Sequence, residues 1–219
     1  MPDYDFQSDT RPFSQVLDDI GAKDDPKLYL GELVNAFGER GFGALMVFFG
    51  LINAIASPIP GSTTVLGAPL LLICLQLVIR RDQLWMPAWA LKSSLPRESY
   101  RNTIGKVRKP LQFVERLSKP RFSIMSSEVS EVLIGIVTSL LTVIVMLPIF
   151  GGNLFPSLFV ALFGFGLMQR DGFLIGAAWL GVAGFCVFVW AAWELISRLF
   201  LASAGWFIHA GDWVQGLFS

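Results

Sequence analysis

Between Gly41 and Ile79 the chain is almost wholly apolar, except where "ASPIPGSTTVLGAPL", residues 56–70, breaks it with three prolines, two glycines and a cluster of hydroxyls. Backbone groups freed by such a break find no partner in hydrocarbon, so at membrane depth they must be buried in protein or face water. The residue types suit that need. Pro58 and Pro60 end the preceding helix, Gly61 permits an unusual backbone angle, and Ser62, Thr63 or Thr64 supply a cap for a helix starting near Val65.

Composition places the break in a membrane protein: 53% of residues are hydrophobic and only 16% charged, with 19 Phe and 7 Trp, well outside the ordinary soluble mix. The net charge of zero conceals an asymmetry, because 11 of the 17 Lys and Arg fall between Arg80 and Arg121. Short loops rich in Lys and Arg stay on the cytoplasmic side, which puts this basic middle, and the amino terminus with it, on the cytoplasmic face. The first forty residues hold no early apolar block and so no cleavable signal peptide is expected. Cys74 and Cys186 lie in apolar stretches, where a thiol behaves as a small hydrophobe, so neither a disulfide nor a metal site is expected.

Four apolar blocks, Gly41 to Ser57, Val65 to Ile79, Val132 to Leu147 and Leu154 to Met168, are short. At about 1.5 Å per residue they reach roughly 23–26 Å, less than the ~30 Å hydrocarbon core. A fifth, Gly172 to about Ile196, is long enough to span with some tilt. The four short blocks form two pairs that repeat. "SPIPG" from Ser57 corresponds to "LPIFG" from Leu147, Pro69 to Pro156, and "RDQL" from Arg81 to "RDGF" from Arg170, an offset of 87 to 90 residues. In the second copy Gly151, Gly152 and Asn153 follow Pro148, and Asn153 is the expected cap before Leu154 and Pro156.

Both pairs end in Arg-Asp and the first leads directly into the basic loop, so both begin and end on one face as parallel hairpins. The predicted fold is an all-α, polytopic helical membrane protein: two repeated hairpins with Pro/Gly-broken, re-entrant tips, one long transmembrane helix, and amphipathic surface helices. Its segments are a cytoplasmic amphipathic region (1–40), hairpins at 41–82 and 131–171, a basic interfacial loop (83–130), the long helix (172–198) and an interfacial, periplasmic C-terminal helix (199–219). In the first segment Asp25-Pro26 caps and starts a helix with Leu30, Leu33, Val34 and Phe37 on one face. In the basic loop Pro110 opens a short helix that groups Leu111, Val114 and Leu117 and is drawn to anionic lipid; nothing there resembles a nucleic-acid reading motif.

Two readings of the broken tips follow. Two capped helix starts would aim positive dipole ends at one region and hold an anion or a lipid phosphate; alternatively the same residues make tight turns that satisfy their own backbone. Asn53 and Gln76, polar inside the first pair, belong with the first reading or hydrogen-bond one helix to another. Arg81, Asp82, Arg170 and Asp171 form a charged gate or cap the hairpin ends. Glu39 with Arg40, and Glu115 with Arg121, extend a cytoplasmic charge network, and Glu194 stands one turn from Arg198. His209, the single histidine, has no nucleophile or ligand cluster beside it, and no phosphate loop or metal spacing occurs. Neither a catalytic constellation nor a cofactor is expected.

Four stretches, "LGELVNAFGERGFGAL", "PIPGSTTVLGAPLLLICLQLVIRRDQLWMP", "VERLSKPRF" and "LPIFGGNLFPSLFVALFGFGLMQRDG", in this order, resemble the bacterial exopolysaccharide synthesis ExoD family over about Leu30 to Leu180. The family commonly has Pro-Pro-Gly-Ser where this chain has Pro58-Ile59-Pro60-Gly61-Ser62, a departure that keeps the turn chemistry. The resemblance implies an inner-membrane protein linked to exopolysaccharide production and envelope fitness, not a glycosyltransferase. It marks Pro58, Pro60, Gly61, Ser62, Pro69, Pro148, Pro156, Arg170 and Asp171 as matched positions. The expected role is to bind or move a small ion, lipid or lipid-linked saccharide between the hairpins. The rivals are a structural or regulatory partner of polysaccharide-synthesis machinery, as a homodimer for instance, and a membrane enzyme acting on a lipid head group.

Overall fold

The computed structural model describes residues 12–37, 41–59, 61–81, 84–118, 128–147 and 152–217, and these are all-helical apart from one short two-stranded ladder. Residues up to Trp179 form one compact unit and Leu180–Ser219 a second.

The amino-terminal helix α1 (Phe13–Ala22) buries Phe13, Val16, Leu17 and Ile20, one apolar stripe at helical spacing. Strand β1 (Lys27–Tyr29) leads into α2 (Leu30–Phe37), which buries Leu30, Leu33 and Phe37. Asp25-Pro26 therefore does not start the helix: Asp25 Oδ1 accepts from the Lys27 N–H (3.3 Å), and three residues pair with a second strand before the helix begins. That strand follows the paired helices α3 (Gly41–Ala56) and α4 (Ser62–Val78) and the short α5 (Ala88–Leu91). It is β2 (Ser94–Pro96), antiparallel to β1 with Leu28 opposite Leu95.

Helix α6 (Arg97–Leu117) runs straight through Pro110, which neither opens nor ends it, and buries Tyr100, Ile104, Val107 and Leu111 rather than a shorter cluster starting at Pro110. The missing Pro110 N–H would have met the Lys106 carbonyl, and both residues are exposed. Both ends of α1 are held by α6. Arg97, 2% exposed, donates to the carbonyls of Ile20, Asp25 and Lys27 and pairs with Glu32 (3.2 Å). Arg101 donates to Gly21 and Lys23 and the Tyr100 hydroxyl to Leu17, so α6 supplies donors to carbonyls at and just beyond the end of α1. At the other end Glu115 accepts from the N–H and the hydroxyl of Ser14. Partial burial favours the neutral Glu32 carboxyl, but the Tyr29 N–H, Lys23 and Arg97 outweigh it and hold the group below its ordinary range.

The core of the first unit is built from α3, α4, α7 (Glu128–Met146) and α8 (Leu154–Gln169), with α3 packed on α8 and α4 on α7. Both pairs are antiparallel: Gly43 lies against Gly164 and Met168 while Gly50 lies against Ser157 and Ala161, and Gly67 meets Met146 while Gly135 meets Val78. The glycines let backbone touch backbone. A Cβ on Gly43 would sit 2.6 Å from the Gly164 carbonyl oxygen, and one on Gly135 2.9 Å from the Val78 nitrogen.

Helices α4 and α8 end alike. Arg80 and Arg170, the only non-glycine residues with positive φ among those described, both have φ 52°. After each, the next N–H reaches back five residues, Arg81 to Gln76 O (3.1 Å) and Asp171 to Gly166 O (2.9 Å), a Schellman closure. Arg80 thus holds the same place at the end of α4 as Arg170 at the end of α8, and Arg81 the same place as Asp171, one residue off the expected alignment of the two Arg-Asp pairs. Pro69 and Pro156 are not counterparts either: the first is the eighth residue of α4 and the second is the third of α8.

Helix α9 (Gly172–Leu217) is continuous over 46 residues, so the expected boundary between a spanning helix ending at 198 and a separate surface helix is absent. Its first turns belong to the compact unit, with Ile175 against Gly166 and Trp179 edge-on to Phe163 at 5.5 Å. In the second unit Val187, Phe188, Trp190, Trp193, Ile196 and Phe200 are exposed in every direction, a pattern suited to lipid. Two stretches, Val129–Met146 in α7 and Gly172–Phe200 in α9, are long and apolar enough to cross a membrane, while α3, α4 and α8 are shorter apolar helices.

Candidate functional site

The break after α3 turns through Ile59, whose N–H donates to Ala56 O (2.8 Å), and reaches Gly61 at φ 80°, a left-handed angle that glycine adopts without a Cβ clash. The polar side chains that follow work differently from helix caps. Ser62 Oγ shares its hydrogen between the carbonyls of Ala56 (2.8 Å) and Ile59 (2.7 Å), and Thr64 Oγ1 donates to Met146 O (2.8 Å). Asn153 Nδ2 donates to Leu147 O (3.0 Å). Neither α4 nor α8 has a side-chain cap on its cap residue. The expected capping of α4 by Ser62, Thr63 or Thr64 and of α8 by Asn153 is thus replaced by donation to the last carbonyls of α3 and α7. The physical reason is the tightness of the turns: helix C-termini need donors, and hydroxyl and amide N–H groups stand closest to them.

One further bond joins the two breaks. Asn153 Nδ2 also donates to Thr63 Oγ1 at 2.9 Å, linking residues 90 positions apart, each 2% exposed. Ser157 Oγ donates to Asn153 O (2.7 Å) beneath them. This junction leaves acceptors over. Asn153 Oδ1 has no hydrogen-bond partner, and neither has Oδ1 of Asn53, fully buried on α3 with its Nδ2 turned to Phe49 O (2.9 Å). Gly50 opposite Ser157 sets the register that puts Asn53, one turn nearer the break, level with the first turn of α8. An unfilled buried acceptor costs roughly 1–3 kcal/mol, which two asparagines in this core need not have cost had they been apolar.

The remaining expected residues separate into other places. Gln76 fastens the segment after the first hairpin, its Oε1 accepting the Trp85 N–H (2.7 Å) and its Nε2 donating to Leu72 O. Arg81 is exposed, its guanidinium 6.0 Å from the centre of the Trp85 ring. Asp171 is buried and accepts the Phe173 N–H (3.0 Å) at the start of α9, while Arg170 is exposed. Glu115 accepts from the N–H and hydroxyl of Ser14 at the start of α1. Pro58 is exposed and Pro156 buried. Pro60, Glu39, Arg40, Asp82, Arg121, Pro148 and Gly151 lie outside the described residues. Sequence reasoning missed the buried polar column of α7: Thr138 and Thr142 donate to carbonyls four residues back, Cys74 Sγ lies 3.8 Å from Thr142 Oγ1, and Ser139 Oγ is unpaired. The T-S-x-x-T spacing inside an apolar helix was the signal available.

The described residues are helical apart from one short ladder, with two helices long and apolar enough to cross a membrane and a polar contact between two helix breaks, which is consistent with a helical membrane protein. The chain belongs to the ExoD family: the description "Exopolysaccharide synthesis, ExoD" matches residues 13–191. It is similar to Protein ExoD of Rhizobium meliloti, 27% identical over 187 residues, which cover 79% of this chain and 76% of that one. It is also similar to the uncharacterized protein slr1875 of Synechocystis sp., 32% identical over 169 residues, 75% of this chain and 79% of the relative. No solved structure matches.

Proposed function

We propose that the protein is a non-enzymatic inner-membrane component of exopolysaccharide production that binds a hydroxyl-bearing group, a lipid-linked saccharide, at the Asn53–Thr63–Asn153 junction. The observation that carries this reading is the buried, unfilled carbonyl oxygen of Asn153 at its bond to Thr63 between the two breaks, with the unfilled oxygen of Asn53 on α3 level with the first turn of α8. Free acceptors call for a hydrogen-bond donor. A sugar hydroxyl supplies one, whereas an anion does not, so the anion reading of the helix starts gives way to this one. The family description and the name of the Rhizobium relative support the pathway.

The matching ends of α4 and α8, each with an arginine at φ 52° and each 90 residues from the other, support two hairpins as parallel copies with re-entrant breaks. On that arrangement α3 packs on α8 as α7 packs on α4, and Thr63 and Asn153 occupy equivalent positions on a pseudo-twofold axis, where equivalent residues must meet. The basic segment would then lie on the cytoplasmic face.

Asn53→Leu separates binding from packing. It removes an unfilled acceptor worth about 1–3 kcal/mol but adds a larger side chain at a fully buried site, which costs a similar amount, so the melting temperature is expected to stay within a few degrees of that of the native protein. In a strain lacking the native gene, the variant is expected at normal protein level with exopolysaccharide reduced to that of the empty strain. Full exopolysaccharide output from Asn53→Leu would leave the junction a packing device and make the scaffold reading the better one.

A further inference from the structure

Helix α6 carries two opposite faces of different use. Towards α1, β1 and α2 it commits Arg97, Arg101 and Glu115 to the contacts described above, and Arg108 to Asp18 (2.9 Å). Directly opposite, Asn102, Lys106, Lys109, Phe113 and Arg116 recur at intervals of four and three residues and so form one stripe. All five are exposed, and the Phe113 ring is 68% exposed at the middle of the cationic part. Lys106, Lys109 and Arg116 make no ion pair among the described residues, although their neighbours on the inner flank do. Of the acids on α6, Glu98 lies in the first turn, two turns away from Lys106, and Glu115, next to Arg116 in sequence, accepts from Ser14 on α1.

A solvated helix face has no use for an exposed phenylalanine between three unpaired cations, but an interfacial helix does: the cations meet phosphate while the ring enters the acyl boundary. The chain also keeps α6 near apolar helices: it is tied on one side to α4, a short apolar helix ending at Val78, and on the other to α7, whose stretch from Val129 is long and apolar enough to cross a membrane. A bilayer is therefore the polyanion within reach. We propose that the Lys106–Lys109–Phe113–Arg116 stripe docks on the headgroups of anionic phospholipid and holds the amino-terminal helices against the membrane surface, whatever the junction binds.

Each cation near an anionic surface strengthens association about fivefold, so removing three weakens docking on the order of a hundredfold. The test uses the full chain with Cys74→Ala, Cys186→Ala and Phe113→Cys, labelled at 113 with the environment-sensitive fluorophore NBD and reconstituted in vesicles. In vesicles containing phosphatidylglycerol the probe is expected to emit blue-shifted light and be quenched by doxyl-labelled lipid. In phosphatidylcholine alone, or at high salt, it reports water. The triple Lys106→Gln, Lys109→Gln, Arg116→Gln variant should report water in both. A probe that stays aqueous with phosphatidylglycerol overturns the proposal. So does a probe that is shielded equally in both vesicles and in the triple variant, which would put protein on the stripe instead of lipid. Because Phe113 and the three cations are exposed, these changes leave the fold in place, and circular dichroism of each variant checks that they do.

Discussion

A single methyl group on Gly43 should drive α3 and α8 apart. The added Cβ would lie 2.6 Å from the Gly164 carbonyl oxygen and 2.9 Å from the Met168 nitrogen, and both are backbone atoms that no rotamer change can move. Gly164 faces the same constraint from the other helix, its Cβ falling 2.6 Å from Met46 Cβ and 2.7 Å from Gly43 O. Overpacking of a close-packed interface costs about 1–3 kcal/mol and more where the backbone itself must shift, and here a marginally stable protein of this size would lose a large part of its stability. Gly43→Val is expected to be recovered mostly as aggregate, and Gly43→Ala to melt many degrees lower, by fluorescence-detected size exclusion after a heat series. Gly105→Ala on α6, where a Cβ meets nothing within 4 Å, is the control and should gain slightly from higher helix propensity. Equal behaviour of the two alanine variants would mean that α3 and α8 do not touch at their glycines.

The second large effect is expected at Arg97. Its guanidinium binds three main-chain carbonyls and Glu32 from a position that is 2% exposed, so Arg97→Ala strands four acceptors in partly buried sites. Breaking a buried pair of this kind by removing one member costs about 3–5 kcal/mol. The loss is local: α1 and the β1–β2 ladder should detach while the glycine-packed helices persist. Limited proteolysis is expected to cut residues 12–37 rapidly in Arg97→Ala and leave the remainder protected. Arg97→Lys retains the charge but not the fork of donors, and should fall between the two. Uniform loss of all regions in Arg97→Ala would show that α1 is part of the main core, not a clamp closed by α6.

What the sequence revealed and concealed follows from the range of the interactions. The helices between 41 and 79, and between 132 and 169, were legible because proline and glycine stop helices locally and apolar runs need no distant partner. Asn53, Thr63 and Asn153 were legible as unusual polar residues in such runs. Their partners were not. Whether a hydroxyl caps the helix that follows or bonds the end of the one before depends on how tightly the turn closes, and Thr63 meets Asn153 across 90 residues. The two Arg-Asp pairs look alike in letters, but the left-handed residue is Arg80 at the end of α4 and Arg170 at the end of α8. Arg97 escaped notice because every partner it has lies more than sixty residues earlier, and α9 looked divided because its composition changes near Arg198 while its backbone does not.

The central claim is that the two breaks meet at one buried polar point. Thr63→Cys and Asn153→Cys in a chain lacking Cys74 and Cys186, with a protease site placed in residues 119–127, test it directly. After treatment with a short bis-methanethiosulfonate reagent and cleavage, the account predicts that the two fragments stay joined until a reductant is added. Fragments that separate, while the same reagent joins a control pair away from the breaks, Cys74 retained with Thr142→Cys on α7, would contradict it.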